Sequence, residues 1–181
     1  MLLVLLPPGV ATREVVGPLE IIHERLGLDV VWAGRNRGPV PGHDPPMSFH
    51  ADIGLEEVDQ APTMMLLPGG FGCLELALDP SILSALRRLA APPAVVLAIS
   101  TGSLPLAAAG LLTGQRVTGH WLSHPHLRRF GAHPVNDDTV TADRIITASG
   151  SVSAVFAARF ASDLAAYGPR ATESFDLGQR T

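Results

Sequence analysis

The chain has 181 residues, of which 46% are hydrophobic, so it contains enough apolar material to fill one buried core. Its formal net charge of −4 and its pI of about 5.9 exclude a general attraction to nucleic-acid phosphates or to anionic membranes. The single cysteine, Cys73, excludes an internal disulfide framework and fits a reducing compartment, so we expect a cytoplasmic protein.

The first half of the chain alternates apolar runs with helical patterns. The opening run, residues 1–6, is too short to span a membrane and lacks a basic flank, so it predicts a buried strand. The Gly- and Pro-rich residues 34–51 predict a small hairpin. The other elements predicted here are a helix over 12–25, interrupted by Gly17-Pro18, and strands over 28–33 and 64–67.

The second half continues the alternation. Its predicted elements are helices over 80–90, 104–112, 123–130 and 152–166, strands over 94–99 and 115–118, and two short strands within 135–149 about a turn at Asp143-Arg144. Continuous apolar strands between helices indicate an α/β fold with a mainly parallel sheet and helices on both faces. Ligands bind beyond the carboxyl ends of such strands, so the turns at Gly9, Gly70 and Ser100 should converge.

Ser100 stands at the most informative of these turns. An apolar strand ends at this residue, and Gly102 and a helix-forming run follow it directly. A side chain at such a strand-to-helix elbow projects from the sheet edge, where the first helical turn presents unpaired N–H groups and the positive end of its dipole. A reactive or ligand-binding group is therefore expected at position 100.

Four segments resemble the DJ-1/PfpI superfamily, which is class I glutamine amidotransferase-like. They are residues 8–10, 14–20, 66–70 and 98–121. The nearest subgroups in pattern are isonitrile hydratases and the ligand domains of AraC-type regulators. The resemblance implies a flavodoxin-like three-layer sandwich over 1–168 with a C-terminal tail over 169–181, and a homodimer in which residues 17–22 are a candidate contact surface.

The sequence departs from the family pattern at two places. The family's elbow residue is typically a cysteine, and here it is Ser100, although the acidic partner is kept as Glu14. The family's segment after the last strand usually ends in a polar residue, and here that residue is Phe156. A serine hydroxyl is a poor nucleophile unless a base removes its proton, so cysteine chemistry does not carry over.

Three interpretations of Ser100 follow. In the first interpretation Ser100 is a nucleophile, with His120 or Glu14 as base and the N–H groups of Gly70 and Thr101 as an oxyanion hole. Alternatively, Ser100 and Glu14 hydrogen-bond a small ligand that is not turned over, which is the function that we favour. In the third interpretation Ser100 merely caps the following helix.

The remaining candidates have weaker signals. Gly9, Gly69 and Gly70 are expected to present backbone N–H groups to the site. Cys73 is expected to be a buried apolar residue, with a transferred nucleophile role as the alternative. His120, His124 and His126 do not have a recognised metal-ligand spacing, and the Gly-rich turns lack nucleotide-binding spacing, so we predict no metal and no cofactor.

The expected partners are a small-molecule ligand and a second copy of the chain. Only residues 170–181 follow the last predicted helix and its Gly168-Pro169 terminator, which is too short for a DNA-binding module. We therefore expect no direct nucleic-acid binding and no membrane association. Whether the protein is a ligand-binding or sensor domain, or a hydrolase or hydratase that uses Ser100, depends on whether a base lies within reach of Ser100.

Overall fold

The computed structural model describes residues 1–43 and 47–168. Short 3₁₀ turns occur at Leu55–Glu57, Ser100–Gly102 and Trp121–Ser123. The strands and helices, in chain order, are β1 (Leu2–Leu5), α1 (Thr12–Leu26), β2 (Val30–Gly34), β3 (Gly38–Pro41), β4 (Ser48–Ala51), β5 (Ile53–Gly54), β6 (Met64–Leu67), α2 (Cys73–Leu76), α3 (Pro80–Leu89), β7 (Val95–Ile99), α4 (Ser103–Ala108), β8 (Arg116–Val117), α5 (His124–Arg129), β9 (His133–Pro134), β10 (Thr139–Ala142), β11 (Ile145–Ala148) and α6 (Ser151–Tyr167).

Seven strands form the central sheet in the order β10-β11-β7-β6-β1-β2-β5. Every neighbouring pair is parallel except β10 with β11. The central strands β1, β6 and β7 are buried along their whole length, because both faces of the sheet are covered. The predicted mainly parallel sheet is confirmed.

Alternate residues of each strand feed two separate cores. Leu3 and Leu5 face one side of the sheet, where they share a core with residues of α3 and α4. Leu2 and Val4 face the other side, where residues of α1 and α6 cover them. This period-two alternation produces a helix–sheet–helix sandwich, the flavodoxin-like architecture expected from the resemblance.

The Gly17-Pro18 pair does not end α1, which continues to Leu26. A Cβ atom on Gly17 would lie 3.3 Å from Val155 Cγ2, so the missing side chain lets α6 approach closely. Packing against α6 buries Val15 and Pro18, and this burial offsets the backbone hydrogen bond that proline removes.

Several local predictions differ from the structure in extent or pairing. The hairpin in residues 34–51 is present as β3 with β4, and the turn between β10 and β11 includes Asp143 at φ 53°. The strand predicted over 115–118 is only the two residues of β8, and it pairs with β9 in a separate two-stranded sheet. The helix expected over 104–112 ends at Ala108, and α2 was not predicted.

Two further expectations concern the C-terminal tail and membrane association. The predicted tail over 169–181 lies outside the described residues. Across residues 1–43 and 47–168, we find no helix that combines the length and the apolar character needed to cross a membrane.

Candidate active site

Three loops converge at the carboxyl edge of the sheet, because β7, β6 and β1 are adjacent and parallel. The Gly70 N–H donates to Thr101 Oγ1 over 3.0 Å, and that hydroxyl donates back to the Gly70 carbonyl over 3.1 Å. The Ala11 N–H donates to the Gly69 carbonyl over 2.9 Å. These bonds fix the loops after the three strands to one another and place Ser100, Gly69 and Gly70 together.

Ser100 has a left-handed backbone, with φ at 57°. This conformation costs a residue with a side chain roughly 1–2 kcal/mol, and such strain is concentrated at functional sites. The turn is closely packed against β6, since a Cβ on Gly102 would lie 2.1 Å from the Leu67 carbonyl oxygen. The N-cap positions of the two helical segments that start here are Ile99 and Gly102, and neither has a side-chain cap bond, which disfavours the helix-cap interpretation of Ser100.

Glu14 lies in the first turn of α1 with its carboxyl group buried against the elbow. Its Oε2 accepts the Gly69 N–H over 2.7 Å, and the Ser100 side chain lies beside the same carboxyl group, next to Gly69. Burial raises the pKa of Glu14, while the bonds to Gly69 and Ser100 oppose that increase. A Cβ on Gly69 would lie 2.7 Å from Glu14 Oε2 and 2.9 Å from Ser100 Cβ, so only glycine permits this contact.

A cleft of about 370 Å³ opens above this group. We call Ser100, Thr101, Gly69 and Gly70, with Glu14 beneath them, the floor of the cleft. The residues above them form its mouth and are largely apolar or imidazole side chains: His43, Phe71, Leu74, Leu104, His120, Leu122 and His126, with Gly9, Ala11 and Ser123 completing the lining.

His120 lines the cleft without acting on Ser100 in this arrangement. Its Nδ1 accepts the Leu122 N–H over 3.3 Å, and its ring stacks on Trp121 with centroids 5.7 Å apart. Nδ1 is therefore occupied as an acceptor and is not free to take the Ser100 proton. Within the part of the chain that the structure describes, the titratable side chain placed beside the Ser100 hydroxyl is Glu14.

The glycine N–H groups expected to face the site have partners within the protein. The Gly70 N–H, predicted to face an oxyanion, is bonded to Thr101 Oγ1. The Gly69 N–H donates to Glu14, and the Gly9 N–H donates to the Pro41 carbonyl over 2.9 Å. The three glycines therefore shape the site by close backbone packing, which satisfies their amide groups locally.

Cys73 lies behind the elbow and not in the cleft. It is buried, its Sγ is 3.7 Å from the Pro68 carbonyl oxygen, and burial raises its pKa to about 12. A thiol with so little thiolate at neutral pH does not suit a nucleophile. Its position favours the interpretation as a small buried apolar residue.

The three histidines that prompted the metal question do not share a position. His120 and His126 line the cleft, whereas His124 is buried at the start of α5. Among the residues with described positions, no three His, Cys, Asp or Glu side chains are grouped to hold a metal ion.

The sequence reasoning did not identify Phe71 and Leu122 as cleft residues. Phe71 follows the Gly69-Gly70 turn, and Leu122 follows the His120-Trp121 pair, so both occupy loops next to residues that were identified. Large apolar side chains in loops next to a candidate site are a usable signal when several of them group together, because contiguous exposed apolar patches mark binding surfaces.

Comparisons with known proteins identify similar chains. The model of the DJ-1/PfpI family matches residues 1–163. An isonitrile hydratase from Pseudomonas putida is 32% identical over 165 residues, which cover 88% of this chain and 70% of that protein. The glutathione-independent glyoxalase DJR-1.2 from Caenorhabditis elegans is 31% identical over 175 residues, covering 95% and 91% of the two chains.

A solved structure supports the fold independently. A two-domain protein from Anabaena variabilis, with DJ-1/ThiJ/PfpI-like and ferritin-like domains, superposes with a TM-score of 0.81 at 20% identity. The match covers 93% of this chain, which spans about half (49%) of the two-domain protein.

Proposed function

Because this chain belongs to the DJ-1/PfpI family, we propose that Ser100 stands where its relatives carry a nucleophilic cysteine and that the cleft binds a small molecule without turning it over. The ligand's polar head contacts Ser100 and Glu14 at the floor. The protein then acts as a ligand-binding or sensor domain, as the ligand domains of AraC-type regulators do.

The observation that carries this proposal is the Ser100 side chain, held at φ 57° beside the buried Glu14 carboxyl group and under an open cleft. A serine needs a positioned base to become a nucleophile. Burial raises the pKa of Glu14, so the carboxyl group holds its proton more readily than usual. A hydroxyl beside such a carboxyl group offers a hydrogen-bond donor and an acceptor to a ligand.

Binding is tested with cyclohexyl isocyanide and with its hydration product, N-cyclohexylformamide, as probes. Titration followed by amide NMR shifts is expected to show saturable binding that perturbs Gly69, Gly70 and Thr101. Ser100→Ala and Glu14→Gln are expected to weaken binding about tenfold each, because each removes or alters one hydrogen bond to the head. Shifts scattered over the surface, unchanged by both variants, would contradict the proposal.

A hydratase is the second candidate. It is favoured by a side chain retained at φ 57° beside a carboxyl group and by the 32% identity to an isonitrile hydratase. In that reaction water adds across the isocyanide: its oxygen bonds to the terminal carbon, and its two hydrogens end on that carbon and on nitrogen, giving an N-formamide. Ser100 Oγ would bond to the terminal carbon while Glu14 passes the hydroxyl proton to that carbon, giving an imidate ester. Water would then add to the same carbon, the Ser100 Oγ–carbon bond would break, and the two hydrogens of the water would end on nitrogen and on the restored Ser100 hydroxyl.

Turnover separates the two candidates. The protein is incubated with cyclohexyl isocyanide and, separately, with methylglyoxal, and both are followed by proton NMR for the formyl signal and for loss of the aldehyde. The binding function predicts no consumption above that in a Ser100→Ala control. Formamide production that Ser100→Ala abolishes would establish the hydratase instead.

We also propose that the protein is a homodimer that acts in the cytoplasm. The neighbouring helices α1 and α6 expose Val16, Val152 and Phe156, which are large apolar side chains on packed elements. Such a surface is suited to an isologous contact. Analytical ultracentrifugation is expected to give a dimer that Phe156→Glu dissociates, and a wild-type chain that sediments as a monomer at all concentrations would exclude this.

A further inference from the structure

We propose that the mouth of the cleft is a preorganised apolar clamp, formed by Phe71 on one side and Leu122 on the other, that selects uncharged ligands with a ring-sized apolar tail. This inference rests on the proposed function, because it assumes that the floor at Ser100 holds the ligand's polar head. It adds the chemical class of the ligand's tail, the part that does not contact the floor.

Phe71 is exposed but held in position. Its side chain is 76% exposed, yet its Cδ2 lies 3.0 Å from where a Cβ on Gly9 would be, so the ring rests directly on the Gly9 backbone. The ring also contacts the His43 ring, with centroids 4.7 Å apart. A phenyl group fixed on two sides loses little entropy when a ligand covers its free face.

Leu122 is the second exposed apolar residue of the clamp. It is 58% exposed in the 3₁₀ turn that starts after His120, and its own N–H is bonded to His120 Nδ1. That bond and the stacking of His120 on Trp121 fix the backbone that carries Leu122. Leu74 and Leu104 continue the apolar surface from the mouth towards the floor.

The side chains around the cleft do not favour strongly anionic ligands. The carboxyl group nearest to it is Glu14 beneath the floor, no arginine is among the described residues that line it, its basic side chains are the imidazoles of the mouth, and the whole chain contains no lysine. Phosphate and multiply charged groups are normally bound by arginine, lysine or a metal ion. The volume of about 370 Å³ lies at the lower end of the range for small-molecule sites, so it suits one ring or a branched alkyl group.

A series of probes with one head and increasing tails tests the clamp. N-methyl-, N-isopropyl- and N-cyclohexylformamide are titrated into the full chain, with dissociation constants taken from amide NMR shifts. Each buried methylene is expected to increase affinity about fourfold, so the cyclohexyl compound should bind on the order of 30-fold more tightly than the methyl compound when half of its ring is buried.

Phe71→Ser removes one side of the clamp and is expected to reduce that ratio to roughly fivefold, with Phe71→Leu restoring most of it. Leu78→Ser is the matched control, because Leu78 is a similarly exposed apolar residue (70%) that does not line the cleft. An unchanged ratio in Phe71→Ser, or the same decrease in Leu78→Ser, would overturn the clamp.

The outcomes also separate this inference from the proposed function. Equal binding of all three probes, weakened by Ser100→Ala, keeps the floor as a ligand site and overturns the clamp. Affinity that increases with tail size but does not respond to Ser100→Ala or Glu14→Gln keeps the clamp and contradicts the assignment of the head. Failure of every probe to bind at millimolar concentration contradicts both.

Discussion

Gly9 lies in the loop after β1, and Ser100 directly follows β7 at the same edge of the sheet. The two residues adopt nearly the same left-handed backbone, with φ at 66° and 57°. At Gly9 the conformation has little cost, and the missing side chain makes room for the Phe71 ring. At Ser100 the chain keeps a side chain in a conformation that disfavours one. The difference shows that one turn serves packing, whereas the other retains a hydroxyl at an energetic cost.

The hydroxyl at position 100 therefore needs a reason beyond the fold. Glycine would satisfy the same turn, and the side chain caps neither helical segment that starts there. Its contact is the buried carboxyl group of Glu14, under an open cleft. Strain that is retained next to a titratable group in a cleft is the expected pattern of a functional site.

The largest expected effect comes from placing a thiol at the elbow. In the wild type, Cys73 should react with iodoacetamide about a thousandfold more slowly than free cysteine at pH 8, because its pKa of about 12 leaves little thiolate. In a Cys73→Ser, Ser100→Cys protein, the thiolate at position 100 should be stabilised by the first helical turn and react faster than free cysteine.

Labelling rates followed against pH check both thiols. Slow labelling at position 100 with an ordinary thiol pKa would mean that this turn activates no side chain. It would also mean that the turn at Ser100, like the turn at Gly9, serves packing alone.

A methyl group at Gly9 is expected to have the next largest effect. Gly9→Ala should lower the free energy of unfolding by about 2–3 kcal/mol, because the left-handed backbone is disfavoured and the Phe71 ring must move. Gly27→Ala is the matched control: Gly27 has φ 58° with nothing within 4 Å of the added Cβ, so it should lose only about 1 kcal/mol. Equal losses in urea unfolding would show that Phe71 is not held by Gly9.

The pH dependence of stability is expected to depend on Glu14. Its folded-state pKa is raised by burial, so its contribution is most favourable below pH 4.5 and is lost as the pH increases through the folded-state value. Glu14→Gln stays neutral, and its stability relative to wild type should therefore increase from pH 4 to pH 7. Urea unfolding measures the difference, with Glu24→Gln, an exposed carboxyl on the same helix, as the control for the loss of one charge. A difference that decreases with pH would contradict a raised pKa.

The parts of the molecule that the sequence predicted well are those with strong local patterns. The run at residues 64–67 is the strand β6 itself, and α3 begins at Pro80 as predicted, because a buried parallel strand and an amphipathic helix leave clear apolar periods. The pairing of β8 with β9 could not be read from two residues, since it depends on the separate loop that brings His133 alongside Arg116.

The sequence predicted which turns meet at the site better than it predicted the hydrogen bonds between them. The order of the turns, together with the family resemblance that singled out Glu14, was enough to expect Ser100, Glu14 and Gly69 as neighbours. Two hydrogen bonds could not be predicted: the Gly70 N–H donates to Thr101, and the Leu122 N–H donates to His120. Both depend on side-chain rotamers, which leave no periodic pattern in the sequence. The exposed ring of Phe71 was missed because only the three-dimensional fold places Gly9 beneath it.

The central claim is that Ser100 keeps its side chain in a strained turn in order to bind a ligand, and paired measurements on Ser100→Gly and Ser100→Ala test it most directly. Ser100→Gly should be about 1 kcal/mol more stable than Ser100→Ala in urea unfolding, because glycine accepts the left-handed backbone. Both variants should bind N-cyclohexylformamide about tenfold more weakly than wild type. Equal stability of the two variants with wild-type affinity in both would show that the turn is unstrained and that the hydroxyl binds nothing.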